Sequence, residues 1–323
     1  MLRLVKAVRS AAQTSPVIVP TISELLWRLK SLENVSFEKS LDINDEFRRR
    51  IPLMSVSELL ECLNTLSRVP RDRSLGLVGD VFRHLDHLSL SDAFEFIKIC
   101  GQLRVYDSAV FERLESNLVI SSIEELRILL VSLNRLKISN FFRSEISRFV
   151  KSNSVAILHS DLRKTIFPLM RYSDDEEIVN ICVASFHEKV EAIRKDSLGK
   201  SRSVLTSSDL YSLVTILAEF VTRHEEARLS TSLCDDVKYC CKTILSYEVR
   251  SWDFDRLIKL FFGMSKLKVF DDFFVRRRLV PAISQAWKDK VDKSDRDKEL
   301  LRVMISQLPF RNTMIEELEV DIS

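Results

Sequence analysis

The run SSIEELRILLVSLNRLKISN (residues 121–140) decides the fold. Leu126, Leu130, Leu133 and Leu136 follow one another at steps of 4, 3 and 3, which puts them in a single stripe along an α-helix. Ser122-Ile-Glu-Glu125 stands just before the first leucine, a hydroxyl first and an acid last. That is the pattern of a capping box: the hydroxyl accepts one of the unpaired N–H groups of the first turn, and the acid sits at the positive end of the helix dipole.

The same stripe recurs along the chain. It stands at Leu25, Leu29, Leu32 and Val35, at Leu59, Leu63, Leu66 and Val69, and at Ala93, Ile97, Cys100 and Leu103. It returns at Leu162, Ile166, Leu169 and Tyr172, at Leu210, Val214, Leu217 and Phe220, and at Leu257, Phe261, Met264 and Leu267. A weaker copy ends the series at Leu301, Ile305 and Leu308, with Arg311 in the fourth place. Thr21–Glu24, Ser55–Glu58, Ser89–Asp92 and Thr206–Asp209 repeat the capping pattern, and Asp253 and Asp297 are expected to cap the last two copies. The copies are spaced by 34, 34, 33, 36, 48, 47 and 44 residues. A second helical segment follows each stripe and carries Phe47, Phe82, Phe111, Phe142, Phe186 or Phe274 in most copies. One helix pair cannot bury its apolar faces alone, so the pairs are expected to stack. The sequence therefore predicts an all-α chain, a right-handed α-solenoid of about eight helix-pair repeats. Residues 21–193 form its regular array, 194–204 a polar loop around Gly199, and 205–323 a looser array.

Composition agrees and narrows the function classes. Apolar residues make up 46% and charged residues 30%, with only 5 Gly and 7 Pro, too few turn formers for an all-β fold. No apolar run approaches the roughly 18 residues of a spanning helix, so no transmembrane segment is expected. Six cysteines are scattered without a CxxC pair; Cys234, Cys240 and Cys241 match no metal-ligand spacing, and buried reduced thiols are expected. His84 and His87 have no third ligand nearby, and the acidic run Asp174–Glu177 reads as dipole partners for the helix that follows. No Gly-rich phosphate loop, nucleophile elbow or HExxH is present, so no catalytic residue, metal, cofactor or small-molecule substrate is expected.

Residues 1–20, MLRLVKAVRSAAQTSPVIVP, carry Arg3, Lys6 and Arg9 and no acid, with Leu4, Val5 and Val8 on one helical face. This is the composition of a mitochondrial targeting presequence. The formal net charge of the chain is +2, and without those three cations it is −1.

The pattern of a hydroxyl, an acid, leucine-type steps of 4, 3 and 3 and a Phe-bearing second helix resembles the octotricopeptide and heptatricopeptide repeats of organellar RNA metabolism, relatives of the FAST-kinase-like and RAP-domain proteins. SLSDAFEFIKICGQLRVYDSAVFERLESNL (residues 89–118) is the copy most like them, and the likeness extends over residues 21–290. Many members end in a RAP domain of alternating strands. This chain instead ends in a helical pattern and the acidic tail Glu316–Asp321. The resemblance implies a matrix protein that binds mitochondrial RNA or ribonucleoprotein, in transcript processing or stability or as a component of the mitochondrial ribosome. The alternative is a protein–protein scaffold, an accessory subunit of a large mitochondrial membrane complex.

Two groups of cations are the candidate RNA contacts. Within 256–290, Arg256, Lys259, Lys266, Lys268, Arg276, Arg277, Arg278, Lys288 and Lys290 stand against Asp271, Asp272 and Asp289, with Trp287 and several Phe interleaved. Phosphates pair with such cations, and bases stack on such aromatics. Arg68, Arg104, Arg135, Lys137 and Arg171 lie at the ends of first helices and form a secondary basic edge. The plainer reading of that edge is cations placed favourably at helix C-termini. Arg48, Arg49 and Arg50 form a smaller cluster.

Overall fold

The computed structural model describes Glu24, Trp27, Arg28, Lys30 and residues 37–69, 71–85, 88–195, 205–223 and 230–322. These residues are helical throughout with short links, and no strand occurs among them. The basic segment 1–20, most of the first stripe, His87 and residues 196–204 of the polar stretch lie outside the described residues.

The helices come in the expected pairs. The second helix of the first copy is α1 (Phe37–Arg50). The next copies are α2 (Val56–Leu66) with α3 (Arg71–Phe82), α4 (Leu90–Leu103) with α5 (Ser108–Glu115), and α6 (Ile123–Leu136) with α7 (Arg143–Ser152). In the fifth copy a π-helical turn (Leu162–Ile166) runs into α8 (Phe167–Tyr172), which is followed by α9 (Glu176–Lys195). The sixth pairs α10 (Ser207–Arg223) with α11 (Thr231–Cys240), the latter extended by a π turn (Cys241–Leu245). The seventh pairs α12 (Phe254–Lys266) with a π turn (Val275–Leu279) and α13 (Val280–Asp289), and the last pairs α14 (Asp295–Gln307) with α15 (Thr313–Ile322).

The start signals act as the sequence implies. Ser55 with Glu58 and Ser122 with Glu125 form reciprocal capping boxes. Thr206 and Asp209 do the same, the N–H of Thr206 donating to Asp209 at 2.8 Å and the N–H of Asp209 donating to the Thr206 hydroxyl at 3.3 Å. The backbone N–H and then the hydroxyl of Ser55 hold the Glu58 carboxyl below its ordinary value. Asp253 caps α12 as expected. At α14 the expectation is corrected: Ser294 is the cap and Asp297 is the acid of its box, because the reciprocal geometry needs the acid three residues inside the helix. Asp161 caps the fifth copy, accepting from the N–H of Lys164 at 2.8 Å.

The stripes are the core. Leu63, Ile97, Leu130, Ile166, Leu217, Leu257 and Leu301 are all at most 1% exposed. At roughly 1.5–3 kcal/mol for each large apolar side chain buried, these rows are what hold the helices together. Phe47, Phe82, Phe111, Phe142, Phe186 and Phe274 are buried as well, which makes the recurrent phenylalanine of the second helix a packing residue.

The chain divides into two compact units, one ending at Arg113 and the other running from Leu114. In the first, α2 packs on α3 and α4, and α1 on α3. In the second, first helices touch first helices in succession, α6 to α8, α8 to α10, α10 to α12 and α12 to α14. Second helices do likewise, α7 to α9, α9 to α11 and α13 to α15. The first helices of this unit run parallel. Arg256 near the start of α12 donates to Ser208 at the start of α10, and Ser265 near the end of α12 donates to Gln307 at the end of α14. Gly263 sets the approach of α12 to α10, since a Cβ there would lie 2.8 Å from Cγ1 of Val214. Among the described residues no helix is long and apolar enough to cross a membrane.

Candidate nucleic-acid interface

Three first helices end in the same way. Arg104, Lys137 and Lys268 lie just past α4, α6 and α12 with φ of 54°, 58° and 55°. In each case the next residue's N–H reaches back to the helix: Val105 to the carbonyl of Cys100 at 3.3 Å, Ile138 to Leu133 at 3.2 Å, and Val269 to Met264 at 3.0 Å. This is the Schellman closure, which satisfies the last carbonyls and demands a left-handed residue that is usually glycine. A Cβ in that conformation costs about 1–2 kcal/mol. The chain places a long cation there three times, where it faces the negative end of the helix and reaches into solvent.

In the unit that begins at Leu114, parallel first helices bring these ends to one edge. Arg135, Lys137, Lys266 and Lys268 are exposed there and make no ion pair among the described residues. Arg171 is on the same edge and contacts Glu219 at 3.5 Å and the side-chain oxygen of Asn134 at 3.4 Å. Arg223, which ends α10, pairs with Asp174 at 2.7 Å and donates to the carbonyl of Arg171 at 3.2 Å. Sequence reasoning stopped the sixth stripe at Phe220; one further step of three reaches Arg223. A cavity of about 540 Å³ opens among the ends of α6, α8 and α10 and is lined by Lys137, Arg171 and Arg223. Arg68 and Arg104 belong to the other unit, where both side chains are exposed.

The structure separates the cations of 256–290. Arg256 is half-buried, its guanidinium 3.7 Å from the Trp252 ring centre and 4.9 Å from that of Tyr211. Lys290 bridges Asp255 at 3.0 Å and Asp297 at 2.9 Å. Lys288 pairs with Glu317 at 3.1 Å. Arg276 pairs with Asp272 at 3.1 Å and lies over the Phe310 ring. Arg277 is exposed, and Arg278 is half-buried with no partner for its Nε among the described residues. Lys259 is exposed midway along α12. Lys266 and Lys268 lie near the far end of that helix, ~15 Å from Arg256 at 1.5 Å per residue, and belong with the edge. Most of the interleaved aromatic surface is interior: Trp287, Phe261 and Phe274 are 0% exposed, Phe262 and Phe270 are half-buried, and Phe273 is exposed.

Other chemistry-bearing groups are structural. Asp174 takes Arg143 and Arg223, and Asp175 takes Lys151 and Ser147. Burial pushes the Cys62 and Cys240 thiols up to about 12 and raises Cys100, Cys182 and Cys241 as well, which keeps them protonated and unreactive. Burial alone would raise the Asp209 carboxyl, but Arg163 and Thr206 outweigh it and hold it below its ordinary value. Arg163 thereby ties the fifth copy to the cap of the sixth.

Compared with family models, with curated proteins and with solved structures, the chain finds no match.

Replacing Lys137 and Lys268 by glycine separates a helix-end role from a binding role. Each change relieves the left-handed strain and is expected to raise stability by about 0.5–1 kcal/mol after glycine's larger unfolded-state entropy is subtracted. If these lysines serve the fold alone, nothing else changes; if they serve a ligand, affinity falls while stability rises. Chemical unfolding and a binding titration on the same double variant read both quantities.

Proposed function

We propose that this chain is a non-catalytic mitochondrial protein that binds RNA, and that the helix pairs within each compact unit stack as a right-handed α-solenoid. The binding surface is the basic edge at the ends of the first helices. The observation that carries this reading is the repeated placement of an exposed lysine or arginine at a left-handed helix end, where glycine would be less strained. Strain retained at recurring surface positions points to a role outside the fold. A bound RNA strand running along this edge would meet Lys137, Lys266, Lys268 and Arg135, with Arg171 and Arg223 behind them. Transcript processing or stability, or residence in the mitochondrial ribosome, is the class of task this surface suits. Co-sedimentation tests it: the protein should travel with mitochondrial ribonucleoprotein particles and leave them after RNase treatment. Retention after complete RNA digestion would contradict it.

One observation favours a second reading, a protein–protein scaffold in a large mitochondrial assembly. Arg256, Arg276, Lys288 and Lys290 all make contacts within the chain, so much of the 256–290 charge is already neutralised. A scaffold would show the RNase-resistant outcome.

The localisation rests on residues 1–20. Fusing residues 1–25 to a soluble reporter is expected to send it to mitochondria, and exchanging Arg3, Lys6 and Arg9 for Glu is expected to abolish import. A reporter that stays in the cytosol with the native segment would contradict this.

A further inference from the structure

The cavity at the ends of α6, α8 and α10 has the makings of a nucleotide site. Its apolar surface is offered by the half-buried Ile138 and Pro168 above the buried Leu130, Leu133 and Tyr172, the ring of Tyr172 being fixed by a hydrogen bond from its hydroxyl to the carbonyl of Phe141. Its rim carries Lys137, Arg171 and Arg223 against a single carboxylate, Glu219. At about 540 Å³ it lies inside the ~300–1,000 Å³ range of pockets that take small ligands. Asn134 also lines it; its side-chain oxygen accepts from Arg171 at 3.4 Å, and its NH₂ makes no hydrogen bond among the described residues. One of the cations is held in place and another is exchangeable. Arg223 is anchored by Asp174 at 2.7 Å and by the Arg171 carbonyl, while the Arg171–Glu219 contact, at 3.5 Å, is long enough for a phosphate to replace.

We propose that this cavity takes one nucleotide of a bound single strand, its base lying on Ile138 and Pro168 and its phosphate on Lys137, Arg171 and Arg223. Asn134 offers the base edge a donor. A base has an apolar π-face, a hydrogen-bonding edge and an adjoining anion, and the cavity presents a complement to each. The inference rests on the RNA reading above and deepens it. An ordinary basic edge would hold the backbone without regard to bases, whereas this site makes the bases matter.

The test uses the full chain, a labelled single-stranded RNA of about ten nucleotides and an abasic backbone of the same length, titrated by fluorescence anisotropy at one salt concentration. The base-bearing strand is expected to bind about tenfold more tightly, the scale of one stacked base. Thr222→Trp fills the cavity from its exposed wall without changing charge, and Asn134→Leu removes the edge donor. Thr222→Trp should abolish the preference and Asn134→Leu reduce it, with the melting curve unchanged in both and the abasic affinity unchanged in Thr222→Trp; having two variants guards against one failing to fold. RNA binding with no preference for bases, or a preference that survives Thr222→Trp, overturns the nucleotide site and leaves the basic edge standing. Binding of neither strand overturns the RNA reading itself. Tighter binding of a polyglutamate peptide than of RNA, lost in Thr222→Trp, would assign the cavity to an acidic protein instead.

Discussion

Leu257→Asp is expected to unfold the unit that begins at Leu114. Leu257 is 0% exposed on α12, which is packed between α10 and α14. Truncating a buried leucine costs about 2–5 kcal/mol, and the new carboxylate adds the cost of a buried group with no partner. The sum reaches or exceeds ~5 kcal/mol, comparable with the whole stability of many domains. Urea unfolding followed by circular dichroism should show the cooperative transition of this unit lost. Leu53→Asp is the control: Leu53 is 77% exposed, and the same chemical change there should cost no more than about 0.5 kcal/mol. A Leu257→Asp protein that unfolds within about 1 kcal/mol of the parent would mean that the stripe is not the core.

Trp287 gives the second large effect and a contrast within one position. Its side chain is fully buried, its ring centre 5.3 Å from that of Phe254, and its Nε1–H has no acceptor among the described residues. Trp287→Ala should cost about 3–5 kcal/mol, the range for emptying a large aromatic site. Trp287→Phe should cost under about 1 kcal/mol, because the smaller ring leaves a void but also removes a buried donor left without a partner. RNA affinity should not change in Trp287→Phe, since no strand can stack on a ring at 0% exposure. Loss of binding in a folded Trp287→Phe protein would show that the interior assignment is wrong.

How much was legible in the sequence follows from which interactions are local. The stripes and their caps are local, and Ser55 with Glu58, Ser122 with Glu125 and Thr206 with Asp209 were readable from four residues each. The cap of α14 was misassigned by three residues because Ser294 and Asp297 both carry a capping group and only the geometry orders them. The π turn at Leu162–Ile166 was hidden because the stripe keeps its spacing through it, and the other two lie in second helices, where no stripe marks the register. Two of the turns run up to Pro168 and Pro281, whose missing N–H breaks the regular ladder. The turn at Cys241–Leu245 has no proline to explain it.

The site was less legible than the fold. Charge composition found the cations of 256–290, but their partners lie elsewhere in the chain, as Glu317 for Lys288 and Asp297 for Lys290 show. Trp287 reads as a surface aromatic beside Lys288, yet helical phase turns it inward. The left-handed ends were present as a recurring signal, Leu103-Arg104-Val105, Leu136-Lys137-Ile138 and Leu267-Lys268-Val269. Composition alone passes over it, because the residue normally expected there is glycine.

If RNA lies on the basic edge of the unit that begins at Leu114, the salt dependence of its affinity must report those lysines. For single strands the logarithm of the binding constant falls with the logarithm of salt by about 0.7 per neutralised phosphate. Changing Lys137, Lys266 and Lys268 together to Glu should flatten that slope by about 2, while Arg276, Arg277 and Arg278 changed to Glu should flatten it by less, since Arg276 is already paired and Arg278 is half-buried. Folded variants with the parent's slope, or larger losses from the arginine triple than from the lysine triple, would place RNA elsewhere or nowhere on this unit.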